Sequence, residues 1–194
     1  MKKLLIIAAL SLPAMLSSFR TTAQTTWKVD KNHSRVSFTI THNMTSDVEG
    51  SFKIFDATIT TTSDDLTGAT IDFTADAASI NTDNERRDKD VRSDDFLDAV
   101  KFPKLIFKST SVTKTSASAY KITGNLTLHG ITKPIVLDAL VRIPPMATGV
   151  KDVVGLKVSG IIKRSDFNIG PAYASILLGD EITLSANGEF SKPK

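Results

Sequence analysis

The sequence has no cysteine, few aromatic residues and only one long apolar run, and each of these shortages excludes something. Without cysteine, the chain has no disulfide, no thiolate nucleophile, no cysteine-ligated metal and no cysteine that could carry a lipid anchor. An exported chain of 194 residues can do without disulfides, because it is long enough to bury a core. These features are compatible with one domain whose fold depends on packing alone.

The long apolar run lies at the N-terminus. Met1-Lys2-Lys3 is a short basic region, Leu4–Leu16 is mostly apolar, and Thr21-Thr22-Ala23 is a small-residue cleavage site. This order is typical of a secretory signal peptide, which is too short to span a bilayer comfortably. We predict a signal peptide over residues 1–23, a mature domain over residues 24–194 and a periplasmic or secreted location. An uncleaved leader that anchors the chain is the alternative.

The leader also explains the net charge. Lys2, Lys3 and Arg20 account for the whole difference between 24 basic and 21 acidic side chains, so the mature chain is balanced. A balanced chain gives no reason to expect a nucleic-acid surface. We expect no nucleic-acid partner and no stable membrane insertion, and the sequence leaves a homodimer open.

Most of the mature sequence alternates between apolar and polar residues, as strands with one buried face do. In Tyr120–Arg142 the alternation runs on both sides of His129-Gly130, which predicts a β-hairpin. Pro134 should begin the second strand, since proline has no N–H for a ladder. About eight such strands, without an internal repeat, favour one antiparallel barrel or sandwich.

Two segments depart from this pattern. Within Val48–Thr60 the apolar parity switches, which predicts a bulge or bend near Ile54-Phe55. Asn81–Val100 is densely charged and predicts one or two short helices near residues 83–99, with a capping box from Thr82 to Glu85.

Alternation alone does not tell which face is wet, because a membrane barrel turns its apolar face outward. Membrane barrels carry two aromatic girdles, and 2 Tyr and 1 Trp are too few for them. We therefore expect an all-β, antiparallel, eight-stranded barrel with an apolar interior. Such a barrel either fills itself with side chains or holds one small ligand. Small inward residues leave room for a thin ligand or only permit strand curvature; they are Ala69, Ala75, Ala77, Gly124, Ala139, Gly160, Ala186 and Gly188.

A series of short segments, in a fixed order, spans nearly the whole mature chain. They are His33-Ser34, His42, Gly50-Ser51-Phe52, Ser79–Thr82, Arg87-Asp88, Val91–Phe96, Phe102–Ser109, Ile122–Ile135 and Lys163–Phe167. Together these segments resemble the YceI-like family of exported, lipocalin-like, polyisoprenoid-binding proteins. The chain departs from the family pattern at Lys89-Asp90, where a His is usual, and at Asn168, where Gly is common.

The resemblance implies a lipocalin-like barrel that encloses a long apolar molecule, such as a polyisoprenoid, a quinone tail or a fatty amide. The function would be transport, storage or sequestration. The alternative is a ligand-free structural or interaction module of the cell envelope, filled by its own Phe and Leu side chains. The inward positions that we expect to contact the ligand are Val36, Phe38, Ile40, Phe52, Ile71, Phe73, Phe107, Ile122, Leu126, Leu128, Leu137, Leu156, Val158 and Ile162.

No catalytic or metal-binding pattern is evident. His33 and His42 would face opposite sides of one strand, and His129 lies in a turn, so no pair has the spacing of metal ligands. Adjacent carboxylates such as Asp94 and Asp95 point apart. We expect no enzyme activity, no metal and no cofactor. Arg87, Arg92 and Arg164 either pack the helical insert through ion pairs with nearby aspartates or contact a ligand head group.

Overall fold

The computed structural model describes residues 23–63, 65–144, 149 and 152–193. The predicted signal peptide, apart from Ala23, therefore lies outside the described residues. Within those ranges, no helix is long and apolar enough to cross a membrane.

Antiparallel strands make up most of the described chain. One α-helix, α1, runs from Glu85 to Arg92, and 3-10 turns cover Ala77–Ser79 and Arg164–Phe167. The strands are β1 (Thr25–His42), β2 (Ser46–Phe52), β3 (Phe55–Thr61), β4 (Thr70–Asp76), β5 (Ile80–Asn81), β6 (Lys104–Lys114), β7 (Ala119–Leu128), β8 (Ile131–Arg142), β9 (Val153–Lys163) and β10 (Leu178–Ser191).

These strands form a closed eight-stranded barrel, as predicted. β2 and β3 lie end to end along β1, and β5 extends β4 beside β2, so each of these two pairs counts as one barrel strand. From β4 the sheet continues through β6, β7, β8 and β9 to β10. β10 then pairs with β1 and closes the sheet. Closure pairs both outermost strands of the sheet with each other, which removes most of the exposed edge where aggregation usually begins.

The predicted hairpin is β7–β8. His129 and Gly130 form its turn, and both have positive φ, of 50° and 72°. A two-residue turn of this kind matches the right-handed twist of the strands. On β7, the even-numbered residues from Tyr120 to Leu128 are buried, so the alternation does point inward.

Pro134 differs from the prediction because it lies inside β8, opposite Asn125 of β7. The pairing of β8 with β9 begins only at Asp138. One side of β8 is therefore unpaired at Pro134, and this is where a strand tolerates a residue without N–H.

Two further local predictions have different outcomes. The switch of parity corresponds to the break between β2 and β3 at Lys53-Ile54, so the predicted bend is present. The capping box is wrong: Asn84 is the N-cap residue, and its side chain accepts a hydrogen bond from the backbone N–H of Arg87 at 3.0 Å. The sequence predicts one or two short helices in the charged segment, and the structure has one, α1.

The small inward residues leave less room than the sequence indicates, because larger side chains cover several of them. A Cβ at Gly124 would lie 2.5 Å from the carbonyl oxygen of Lys108 and closer still to the ring of Phe107. A Cβ at Gly160 would likewise collide with Leu137. These glycines admit a neighbouring side chain rather than a ligand.

We therefore predict that Gly124→Ala destabilises the barrel by about 1–3 kcal/mol, the usual cost of overpacking a core. The matched control is Gly155→Ala, where the new Cβ would lie 3.5 Å from the nearest atom, Cβ of Arg142. Urea unfolding of both variants measures the difference. Equal midpoints would mean that the contact between Phe107 and Gly124 contributes nothing to stability.

Candidate functional site: two adjoining apolar cavities

The centre of the barrel holds an inner cavity of about 160 Å³, lined almost entirely by apolar side chains. Thirteen of the fourteen inward positions singled out from the sequence line it; Ile40 does not. The strand alternation brings them together, because every second residue of each barrel strand points at the same axis.

An outer cavity of about 420 Å³ lies at one end of the barrel, between the strand ends and α1. Ile40 lines this cavity instead, because it lies further along β1 towards its C-terminal end. The outer cavity reaches the surface, since exposed residues such as His42 and Asn43 form part of its wall.

The two cavities adjoin across a shared ring of apolar side chains. This ring consists of Phe38, Phe52, Leu105, Leu128, Ile162 and Leu184, which line both spaces. Phe38 and Phe52 pack against each other with their ring centroids 6.1 Å apart. The inner cavity alone is about as large as an engineered cavity that holds benzene, roughly 150 Å³. A long molecule would therefore have to occupy both spaces and pass this ring.

Several walls of the outer cavity were missed by the sequence analysis. Some come from strands, and others come from α1 and from the irregular segments around residues 96–97 and 169–177, where no period marks the inward face. Phe96 and Tyr173 stack there, with ring centroids 5.2 Å apart. Leu105 and Leu184 do lie on the inward parity of their strands, so the alternation could have found them. The other missed apolar residues of this wall are Val48, Ile80, Val91, Leu97, Ile169, Leu177, Leu178 and Ile182.

Arg164 holds the segment 169–179 over this end of the barrel. Its side chain is buried, and its guanidinium donates only to backbone carbonyl oxygens. Because every nitrogen of the guanidinium has an acceptor, Arg164 has a structural role. The acceptors are the carbonyls of Leu178 and Gly179 for Nε, of Ile169 and Gly170 for Nη1, and of Tyr173 and Leu178 for Nη2.

Ion pairs with aspartates, one of the two roles that the sequence leaves open for the three arginines, are absent from the described residues. None of Arg87, Arg92 and Arg164 has a carboxylate oxygen within 4.0 Å there. Arg87 instead donates from Nε to Oγ1 of Thr82 at 2.8 Å and from Nη2 to its carbonyl oxygen at 2.7 Å. Thr82 in turn donates from its N–H and Oγ1 to the buried Asp88, at 2.7 and 2.6 Å. This network ties α1 to the end of β5.

Comparison with known proteins identifies the family. The sequence profile of the YceI-like domain matches residues 27–190. The chain belongs to the YceI-like family. Protein YceI of Salmonella newport (strain SL254) is 35% identical to this chain over an alignment of 198 residues, gaps included. The alignment covers 99% of this chain and all of that protein.

Solved structures support the YceI-like fold. Burkholderia cenocepacia BcnA superposes with a TM-score of 0.75 at 24% identity, over 83% of this chain and 98% of BcnA. A polyisoprenoid-binding domain from Saccharophagus degradans, implicated in plant cell wall breakdown, superposes with a TM-score of 0.69 at 14% identity. This superposition covers 86% of this chain and 98% of that domain. Because both sequence identities are below 25%, these two superpositions are evidence for a shared fold alone.

A polar cluster lies on the YceI-like barrel outside the two cavities. Potential ligand atoms of Asp30, His33 and Glu189 lie within 4.8 Å of one another. Nδ1 of His33 is 2.9 Å from Oδ2 of Asp30, so the pair is already joined by a hydrogen bond. This bond and the negative charges of Asp30 and Glu189 raise the pKa of His33 above its ordinary value. The cluster is an exposed, hydrogen-bonded group, and the expectation that the chain holds no metal stays a prediction.

We predict that Arg164→Met lowers the free energy of unfolding by at least about 2 kcal/mol, because an unpaired buried acceptor costs about 1–3 kcal/mol. Arg92→Met is the control, since the hydrogen bonds of Arg92 to Ala78 and Ile80 are long, at 3.4 and 3.5 Å. It should change stability by less than about 0.5 kcal/mol. Urea unfolding compares the two, and equal losses would contradict the structural role of Arg164.

The cluster at His33 predicts a pH dependence. Because the pKa of His33 is raised in the folded protein, the contact stabilises the fold at a pH below about 6.5 and is lost as the pH rises through the folded-state value. Asp30→Asn should lower the pKa of His33, which an NMR titration of its ring protons measures. An unchanged His33 would show that Asp30 does not set its pKa.

Proposed function

We propose that the chain is an exported carrier that holds one long apolar molecule, such as a polyisoprenoid, inside the barrel. The observation that carries this proposal is the pair of adjoining apolar cavities, one at the barrel centre and one that reaches the surface beside α1. The polyisoprenoid-binding domain of Saccharophagus degradans, which has the same fold, supports the choice of ligand class. The leader-like residues 1–23 support export.

Energetics favour a long ligand over a short one. Burial of one CH₂ group contributes about 0.8 kcal/mol to the free energy of binding. Association costs about 4–15 kcal/mol, because the ligand loses translational and rotational entropy. A ligand of about five carbons would scarcely offset this cost, while one of about twenty would. Selectivity would then depend on the length and width of the two cavities rather than on many hydrogen bonds.

The entrance in this proposal is the outer cavity. Exposed apolar side chains lie near its mouth: Leu177 lines the cavity, and Met44, which is 71% exposed, and Ile176 are sequence neighbours of its lining residues Asn43 and Leu177. The β1–β2 turn and the segment 169–178 meet here, where the N–H of Asn43 donates to the carbonyl of Leu177 at 2.9 Å. A ligand that leaves a membrane or another protein would meet an apolar surface before it enters the barrel.

A substitution in the shared ring tests the carrier. Leu184 lines both cavities, and Leu184→Trp should fill the passage and abolish uptake. Thr183→Trp is the matched control, because Thr183 is the exposed neighbour on the same strand. Native mass spectrometry of each protein as purified should show several hundred daltons of bound mass in the natural chain and in Thr183→Trp, but not in Leu184→Trp.

The same experiment decides between the two hypotheses. If the natural chain carries no extra mass, even after incubation with a C20 polyprenol, the ligand-free interaction module is correct. If Leu184→Trp retains the bound mass, the ligand does not pass the shared ring. Far-ultraviolet circular dichroism confirms that each variant is folded.

A further inference from the structure

Two arginines line the outer cavity, and they differ in how many of their guanidinium nitrogens have an acceptor among the described residues. The two are Arg87 and Arg164. All nitrogens of Arg164 donate to backbone carbonyls. Arg87 uses only Nε and Nη2, and both donate to Thr82. Its Nη1 has no acceptor among the described residues.

The guanidinium of Arg87 is also held in place. Thr82, which accepts both of its hydrogen bonds, is buried and is fixed by the buried carboxylate of Asp88. A held guanidinium loses little freedom when a ligand binds to it. Asp88 compensates part of the positive charge through Thr82, and Asp90 of the same helix also lines the cavity. Neither carboxylate lies within 4.0 Å of the guanidinium, so no ion pair in the described chain occupies Arg87.

A free guanidinium N–H at the rim of an apolar cavity matches one kind of ligand. Arginine binds carboxylate and phosphate oxygens through strong, charge-assisted hydrogen bonds. Among the described residues, the only arginine or lysine that lines the inner cavity is Arg35, and its side chain is exposed on the outer parity of β1. The two ends of a bound molecule would therefore meet different surroundings.

We infer that Arg87 binds an anionic terminal group, a carboxylate or a phosphate, on the long apolar ligand. This inference rests on the proposed function. The head group lies beside α1 in the outer cavity, and the chain extends past Phe38 and Leu184 into the inner cavity. Arg87 thus sets both the orientation of the ligand and a preference for chains with an acidic end.

Three ligands with the same C16 chain test this inference: hexadecanoate, hexadecyl phosphate and hexadecanol. Their dissociation constants are measured at pH 8 and below micelle formation, by displacement of the neutral probe N-phenyl-1-naphthylamine. The natural chain should bind at least one of the two anions about tenfold more tightly than the alcohol, which is the factor that one charged hydrogen bond contributes. Whichever anion is preferred identifies the head group as an acid or a phosphate.

Two variants accompany the three ligands. Arg87→Met should bind all three with the affinity that the natural chain has for hexadecanol. Arg86→Met, an exposed neighbour on the same helix, should keep the preference for the anion. Binding of hexadecanol is the internal control for the fold of the cavity, because it needs the apolar walls and no cation.

Each result supports or overturns the inference. If the natural chain binds acid, phosphate and alcohol equally, the carrier function stands and the role of Arg87 is wrong. If Arg87→Met also loses hexadecanol, Arg87 only supports the structure of α1. If no C16 ligand displaces the probe and the purified protein carries no lipid mass, the carrier function fails, and the inference fails with it.

Discussion

The pairing of β1 with β10 closes the sheet, and the interior depends on this closure. β1 contributes to three pairings, with β10 on one side and with β2 and β3 on the other. It can do so because it is 18 residues long and because its register with β10 shifts between Asp30 and Arg35. A bulge of this kind bends a strand and increases its twist, which a barrel wall requires. Once the sheet is closed, the inward side chains of opposite strands face one another, and those near the barrel centre are largely shielded from water.

Closure alone does not decide how much space remains inside. Tight contacts between glycine and a large neighbour take up part of the interior: Phe38 covers Gly50, and Phe107 covers Gly124. The missing Cβ lets the ring lie against the backbone, and the strands can curve there. What remains is a narrow central cavity, so a long ligand also needs the space under α1. The size of the site is thus set jointly by the strands and by the segments at one barrel end.

Most of the fold and the inner cavity could be predicted from the sequence, because a period of two fixes which residues face inward. Thirteen of the fourteen chosen positions line the inner cavity for this reason. Pro134 was misplaced because strand pairing on its two sides is unequal, which is a tertiary property. Thr82 was misread as a helix cap because its partner, Asp88, is chosen by burial and not by local spacing. Asn168, where the family commonly has Gly, has a φ of 52°; asparagine tolerates this left-handed conformation better than most residues.

The outer cavity could not be predicted in the same way, and the reason is physical. Residues 93–103 and 168–177 contain no regular alternation, so their inward side chains depend on long-range contacts, such as the hydrogen bond from the N–H of Gly170 to the carbonyl of Asp95 at 2.9 Å. Arg164 fixes one of these segments and the network of Thr82 and Asp88 fixes α1. Side chains there can therefore differ in size and charge without any change to the strand pattern that builds the barrel. In the proposed carrier, the two parts would have separate tasks: the strands would provide an apolar interior for the chain of the ligand, and the barrel end beside α1 would select its head group.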